Sequence, residues 1–411
     1  MRSSRFIIIL SVSAALVAGF FAGRHFRTPL ADEPQGSVIK EIINQDAGRP
    51  ETVDFGLFWQ VWNRLHERYV DKDTLDTELL LRGAIEGMVM SVGDPYTVYL
   101  EPVRSQSFNE EISGKFGGVG MEINVRDGRL TVISPLKDTP AFRAGIKSGD
   151  YVTHIDDVFT DGMDVQEAVD RIRGDPGTTV VLKIERSGVD EVLVFTVTRD
   201  VVRIPSLEWV MLEGNVAYLQ LFTFNQNIDA DFARAAREIL DSGADRLIVD
   251  LRNNPGGLLD SAVNLAGWFL PADSVVVLEN FGGGVSHTIR SSGGAQLADL
   301  PTVFLINGGS ASASEILAGA VHDLRHIPLV GEQSYGKGSV QQLESFNDGS
   351  SLKVTVAKWL TPAGVSISDF GIAPTHQVLL DIDAINAGDV ELGVPGKDPQ
   401  LDKAVEIVNN L

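Results

Sequence analysis

The chain has 411 residues, no cysteine and a formal net charge of −22, from 56 acidic against 34 basic side chains. That balance excludes a nucleic-acid backbone as partner, since phosphates are held by clustered Lys and Arg, and it disfavours docking on anionic lipid. The missing cysteine excludes disulfides, a thiol nucleophile and a cysteine-ligated metal, and the length exceeds one ordinary core, which implies two or three domains.

At the N-terminus Arg2 and Arg5 precede an uncharged run over residues 6–23, closed by Arg24, His25 and Arg27. Basic residues ahead of about 18 apolar or small ones read as an export signal or a signal anchor over 1–27. No small-x-small cleavage pattern follows, which favours an anchor, the chain's single expected contact with a membrane. Residues 28–52 are polar and carry Pro29, Pro34 and Pro50, as a tether would. From 53 to 112 the pattern turns helical. Phe58, Trp62, Leu65 and Tyr69 make one apolar stripe, and Leu75, Leu79, Met88 and Val92 a looser second one. These predict two amphipathic helices ending at the turn Gly93-Asp94-Pro95; the stripes suit a core or a contact between copies.

Residues 113–200 read as short strands near 120–125, 130–134, 151–155, 179–185 and 191–198, with one helix over 165–173. From 201 to 411 strands and helices alternate. The runs at 247–251 and 302–306 are continuously apolar, as strands covered on both faces are. Each leads through a Gly-rich loop into an apolar helix, over 258–269 and 313–323, which predicts an α/β catalytic core.

The run Asn307-Gly308-Gly309-Ser310-Ala311-Ser312-Ala313-Ser314-Glu315 follows the second of these strands and opens a helix. There a hydroxyl is exposed beside free backbone N–H groups able to hold an oxyanion. The same residues also spell a capping box, Ser312 with Glu315 three residues on, and Ser310 is a second candidate cap. A serine nucleophile needs a base. None of the seven histidines stands out as its partner, and the G-x-S-x-G elbow is absent. Lys337, between Gly336 and Gly338, is the other candidate, with Gln341 four residues on, on the same face, to hold the amine in line. Such a lysine must be neutral, which burial away from carboxylates supplies. His322 and His326 stand four apart, the spacing of two zinc ligands. Asp323 replaces the zincin glutamate and no third ligand is evident, so a zinc metalloprotease is the weaker enzymatic reading.

Several motifs together resemble the C-terminal processing (tail-specific) serine proteases: Ser310-Ala311-Ser312-Ala313-Ser314-Glu315-Ile316, Gly331-Glu332, and Gly336-Lys337-Gly338-Ser339-Val340-Gln341. So do Asp250-Leu251-Arg252-Asn253-Asn254-Pro255-Gly256-Gly257, Gly93-Asp94-Pro95-Tyr96-Thr97, Thr361-Pro362-Ala363-Gly364 and Asp398-Pro399-Gln400-Leu401-Asp402. The resemblance spans nearly everything after the tether. It implies Ser312 as nucleophile, Lys337 as general base and Gln341 as the residue orienting it, with no metal or organic cofactor. It also implies an oxyanion hole, for which Ala313, Gly256 and Gly257 are the candidates. Asp323 lies where some members of the family carry a functionally important aspartate, but a carboxylate close to the lysine would raise its pKa, so Asp323 is read as structural. Residues 113–200 resemble a PDZ module, with Gly118, Val119, Gly120 and Met121 at its carboxylate-binding loop. The expected architecture is thus an α/β protease core (201–411) with an inserted β-rich PDZ domain (113–200) and an N-terminal helical segment (53–112). The expected function is a tail-specific serine endopeptidase of the bacterial envelope, periplasmic or extracytoplasmic. Its partners would be proteins with exposed C-terminal tails, an activating adaptor and a second copy of the chain. A PDZ-bearing scaffold without activity is the non-enzymatic alternative.

Overall fold

The computed structural model describes residues 53–411 apart from 127, 283–285 and 369. The signal or anchor read at 1–27 and the tether at 28–52 lie outside the described residues. Among the described residues no helix is long and apolar enough to cross a membrane. Two compact units divide the chain, one up to Leu75 and one over Asp76–Leu411.

The described part of the first unit holds helix α1 (Gly56–Arg68) and a 3-10 turn (Lys72–Thr74). Along α1 Phe58, Trp59, Trp62 and His66 stack in series, with ring centroids 5.0–6.2 Å apart.

The second unit opens with α2 (Thr77–Met90), whose N-cap Asp76 accepts the Glu78 and Leu79 N–H groups. Both predicted helices are present, but the second stripe is misplaced. Leu79, Met88 and Val92 are each about two-thirds exposed, and Val89 is the buried position. β1 (Val98–Leu100), α3 (Pro102–Ser113) and β2 (Lys115–Gly118) follow.

Next come β3 (Met121–Arg126), β4 (Arg129–Pro135), α4 (Pro140–Ala144), β5 (Tyr151–Ile155), β6 (Val158–Phe159), α5 (Val165–Ile172), β7 (Thr179–Glu185) and β8 (Leu193–Thr198). The order β3-β4-β5-β7-β8, with β6 on β5, makes one antiparallel sheet. Its core gathers Val132, Ala141, Ile155, Ala168, Leu182 and Ile184. β9 (Asp200–Arg203) returns to pair with β2.

The remainder runs β10 (Leu207–Leu212), β11 (Val216–Leu221), α6 (Ile228–Asp241), β12 (Arg246–Asp250), α7 (Leu259–Ala266), β13 (Val275–Asn280), β14 (Ser286–Arg290), β15 (Thr302–Ile306) and α8 (Ala313–Arg325). It closes with β16 (Leu329–Gly331), β17 (Ser339–Ser345), β18 (Ser351–Leu360), β19 (His376–Gln377), α9 (Ile382–Ala387) and α10 (Pro399–Val408). A six-stranded sheet, β10-β11-β12-β15-β16-β19, is parallel except at its β10 edge. Alternate residues of its strands serve two cores. Leu219, Val249 and Phe304 pack with Phe232 of α6, Leu265 of α7 and Leu317 of α8. Tyr218, Ile248 and Leu305 pack with Leu401, Ala404 and Val408 of α10. Burial on both faces explains the continuous apolar runs. Each fully buried phenylalanine, Phe232 and Phe304 among them, contributes about 1.5–3 kcal/mol. In a second, antiparallel sheet, β1-β18-β13-β14 with β17 on β18, the strands β17 and β18 wall a cleft beside the loops that leave the carboxyl ends of β12 and β15. That crevice is where open α/β sheets bind ligands.

Candidate active site

Two loops leave the carboxyl ends of β12 and β15 and are laced together. Ser310 Oγ donates to the Leu251 carbonyl at 2.8 Å and Ser314 Oγ to the Asn254 carbonyl at 3.0 Å. Asn253 and Asn307 exchange a reciprocal pair, each bond 2.9 Å. Ser310 is therefore a weld between loops, not a helix cap. Both flanking hydroxyls are fully buried, whereas Ser312 is only partly buried and lines a cleft of about 480 Å³. Ser312 has φ 55° and ψ −113°, a sparsely populated conformation held by these bonds.

Gly256 has φ +95°, and a Cβ there would lie 2.6 Å from the Ala311 carbonyl oxygen and 2.9 Å from Ser312 Cβ. Only glycine lets the β12 loop pass this close to the serine. Gly257 is equally constrained, its Cβ falling 2.3 Å from the Phe224 carbonyl oxygen. The Gly256 N–H, a candidate oxyanion donor by sequence, is already donated to Asn254 Oδ1 at 2.9 Å. That assignment is corrected, because a bonded amide is not free to hold an oxyanion. The N–H groups of Gly257 and Ala313 have no acceptor among the described residues, and both residues line the cleft.

Lys337 and Gln341 line the same cleft, so the structure brings the three residues together. The reason given by spacing is not the one realised. β17 starts only at Ser339 and bulges between Val340 and Gln341, so no regular strand face carries both side chains. Gln341 Nε2 donates to Ser339 O and Oγ, at 3.0 and 2.6 Å, and to Thr355 Oγ1 at 3.5 Å. No hydrogen bond joins Lys337 Nζ to Ser312 or Gln341 among the described residues. Burial pushes the Lys337 amine below the ordinary lysine range, the Lys353 ammonium adds to this, and Glu315 opposes both.

Glu315 is the site residue that sequence reasoning left as a cap. Its buried carboxylate accepts the Ser312 N–H (2.7 Å), the Ser334 hydroxyl (2.6 Å) and the N–H groups of Gly336 (2.7 Å) and Lys337 (3.0 Å). One side chain thus fastens the backbone of Ser312 to that of Lys337. Burial raises its pKa and these four bonds resist the rise.

A second unforeseen feature supports the β12 loop from below. Arg252, 3% exposed, donates to Asp250 at 2.6 Å, to Asp398 at 2.7 and 3.0 Å and to Gln400 Oε1 at 3.0 Å. The signal was present, since both ends fall in quoted motifs, but 146 residues separate Arg252 from Asp398.

Asp323 takes the Ala363 N–H at 2.9 Å and lies outside the cleft. His322 Nδ1 contacts the Ile327 carbonyl at 3.1 Å, and His326 is the left-handed C-cap beyond the end of α8. The two histidines therefore do not share a helix face, and no cluster of three metal-ligating side chains occurs among the described residues. In the β-rich region Gly118, Val119, Gly120 and Met121 line a small groove closed by Val169 and Ile172.

Residues 215–378 match the model of peptidase family S41, and residues 117–197 that of the PDZ domain. Residues 15–102 match the N-terminal domain of the activating protease CtpB. The chain is 34% identical over 333 residues to the carboxy-terminal processing protease CtpA of Bacillus subtilis, spanning 81% of this chain and 71% of that one. The chain belongs to the carboxy-terminal processing proteases. CtpB of the same organism matches at 34% identity over 383 residues, 92% of this chain and 78% of the relative. A solved S41 protease from Bacteroides fragilis overlays with a TM-score of 0.53, over 88% of this chain and 99% of that one. At 16% identity it speaks for the fold alone. The chain is a serine-type, tail-specific peptidase with an S41 core, a PDZ domain and an N-terminal domain.

Proposed function

We propose that Ser312 attacks a peptide carbonyl near the C-terminus of a protein substrate, with Lys337 as general base, through an acyl-enzyme. Neutral Lys337 takes the Ser312 proton, the N–H groups of Ala313 and Gly257 hold the oxyanion, and Lys337 returns the proton to the leaving amine. Water then releases the acyl group. Gln341 orients the amine through its Oε1, which has no donor among the described residues. The observation that carries this reading is that, of three neighbouring serines, only the middle one faces the cleft, and it shares that cleft with a lysine lowered by burial. The domain limits are 53–112, 113–200 and 201–411. The PDZ groove over 118–121 binds substrate tails and gates the site, and an adaptor protein or a second copy of the chain modulates it. The enzyme works in the bacterial envelope, outside the cytoplasm, tethered by residues 1–27.

The test compares the chain with a Ser312→Ala copy on an unfolded protein bearing an apolar tail, with and without chelator. Cleavage lost only in the variant and indifferent to chelator is expected. Tail binding without turnover in both copies would move the protein to the scaffold reading, and chelator-sensitive cleavage in both would revive a metal mechanism.

A further inference from the structure

The turn Gly93-Asp94-Pro95-Tyr96-Thr97, set apart by its sequence yet idle in the chemistry above, lies against the site. Lys337 Nζ sits 5.6 Å from the centroid of the Tyr96 ring, inside the range at which a ring face attracts an ammonium. The ring is itself fastened. Asp94 accepts the Tyr96 N–H at 3.1 Å, the Thr97 hydroxyl at 2.6 Å and the Thr355 hydroxyl at 2.5 Å. Burial alone would raise the Asp94 pKa, but the Thr355, Thr97 and backbone bonds outweigh it and hold the group as a carboxylate. Thr355 N–H goes to Thr97 Oγ1 at 3.0 Å, and the Thr355 hydroxyl accepts from Gln341 Nε2 at 3.5 Å. One turn, bound to β18, thereby reaches both the amine of Lys337 and the amide of Gln341.

We propose that Tyr96 is a positioning residue for Lys337: its ring face sets where the amine rests, and the Asp94–Thr355 bond sets the ring. The proposal rests on Lys337 being the base. The groups facing Lys337 are Glu315 from α8, Lys353 from β18, and Tyr96 with its hydroxyl partner Tyr335. A carboxylate at the position of the ring would fix the proton on the amine, since an adjacent opposite charge strongly favours the ionised form. A ring face holds the ammonium more gently and leaves the neutral amine accessible.

The experiment follows Ser312 labelling by a fluorophosphonate against pH, in the full chain and in Tyr96→Leu, Tyr96→Phe and Lys337→Ala. In the parent the labelling rate should rise with pH along a limb that Lys337→Ala abolishes. Leucine keeps the wall apolar but removes the ring face, so the Tyr96→Leu limb should move to lower pH and its plateau should fall about tenfold as the amine loses its seat. Tyr96→Phe should restore the limb and most of the plateau. Melting curves check that each variant folds, with Tyr96→Met replacing a leucine variant that does not. A leucine limb coincident with the parent's overturns the positioning role at any rate, and so does an equal displacement in Tyr96→Phe, which would transfer the effect to the hydroxyl. Parental labelling in Lys337→Ala overturns instead the assignment of Lys337 as base.

Discussion

Gly256→Ala perturbs the closest approach of two backbones in the site. At φ +95° a non-glycine residue is strained by about 1–3 kcal/mol. The new Cβ would meet the Ala311 carbonyl oxygen at 2.6 Å, the Ala313 nitrogen at 2.8 Å and Ser312 Cβ at 2.9 Å. None of these atoms is the free end of a flexible side chain, so one loop must withdraw by several tenths of an ångström, at a further cost of about 1–3 kcal/mol. Together the variant should lose about 2–6 kcal/mol of stability. The displaced atoms are Ser312 itself and the Ala313 N–H, and a misplacement of about 1 Å costs about 100-fold in rate. Thermal melting combined with kcat/KM on an unfolded tail-bearing substrate measures both effects. A variant that melts somewhat lower yet cleaves at the parental rate would refute the coupling of this loop to the serine.

Lys337→Arg should abolish turnover, because a guanidinium stays protonated at any working pH. The acid limb of the parent should lie below the ordinary lysine range, and Lys353→Met, which removes a like charge from the cleft, should move it to higher pH. Arg252→Met leaves the Asp250 and Asp398 carboxylates buried without a counter-charge and should cost about 3–5 kcal/mol, read by denaturant unfolding. In the parent, burial raises the Asp398 pKa but the bonds and charge of Arg252 pull it lower. Its contribution is therefore complete above the ordinary carboxylate pKa and is lost as pH falls through the depressed folded value. Deleting residues 114–199 should raise basal cleavage of an unstructured protein if the PDZ domain gates the site; loss of all activity in a still-folded deletion would argue against gating.

Strands whose pattern answers to local packing were legible. Tyr151–Ile155, Thr179–Glu185 and Thr302–Ile306 fall where the apolar runs place them. The cleft residues were legible only through the family resemblance of several motifs in order; read alone, Ser312 passes for a helix cap and Lys337 for a solvated turn lysine. What was not legible depends on distant pairing. Glu315 reads as a cap residue in any sequence window, and only the approach of the segment over 334–337 makes its carboxylate a four-donor clamp. The antiparallel sheet around β18 escaped because β18 mixes polar and apolar residues on partly buried faces. The second helical stripe failed for a related reason: Met88 and Val92 have the right spacing, but the chain packs against Val89 instead.

The Arg252–Asp398 link makes the last helix a foundation stone of the reaction centre. Asp398 caps α10 and at the same time holds the guanidinium on which the β12 loop stands. Helix α10 is thereby folded into the support of the loop that carries Gly256 and Gly257. A cut that released α10 would remove Gln400 from the guanidinium and Leu401 from the core, so self-trimming past that point would extinguish the activity that performed it.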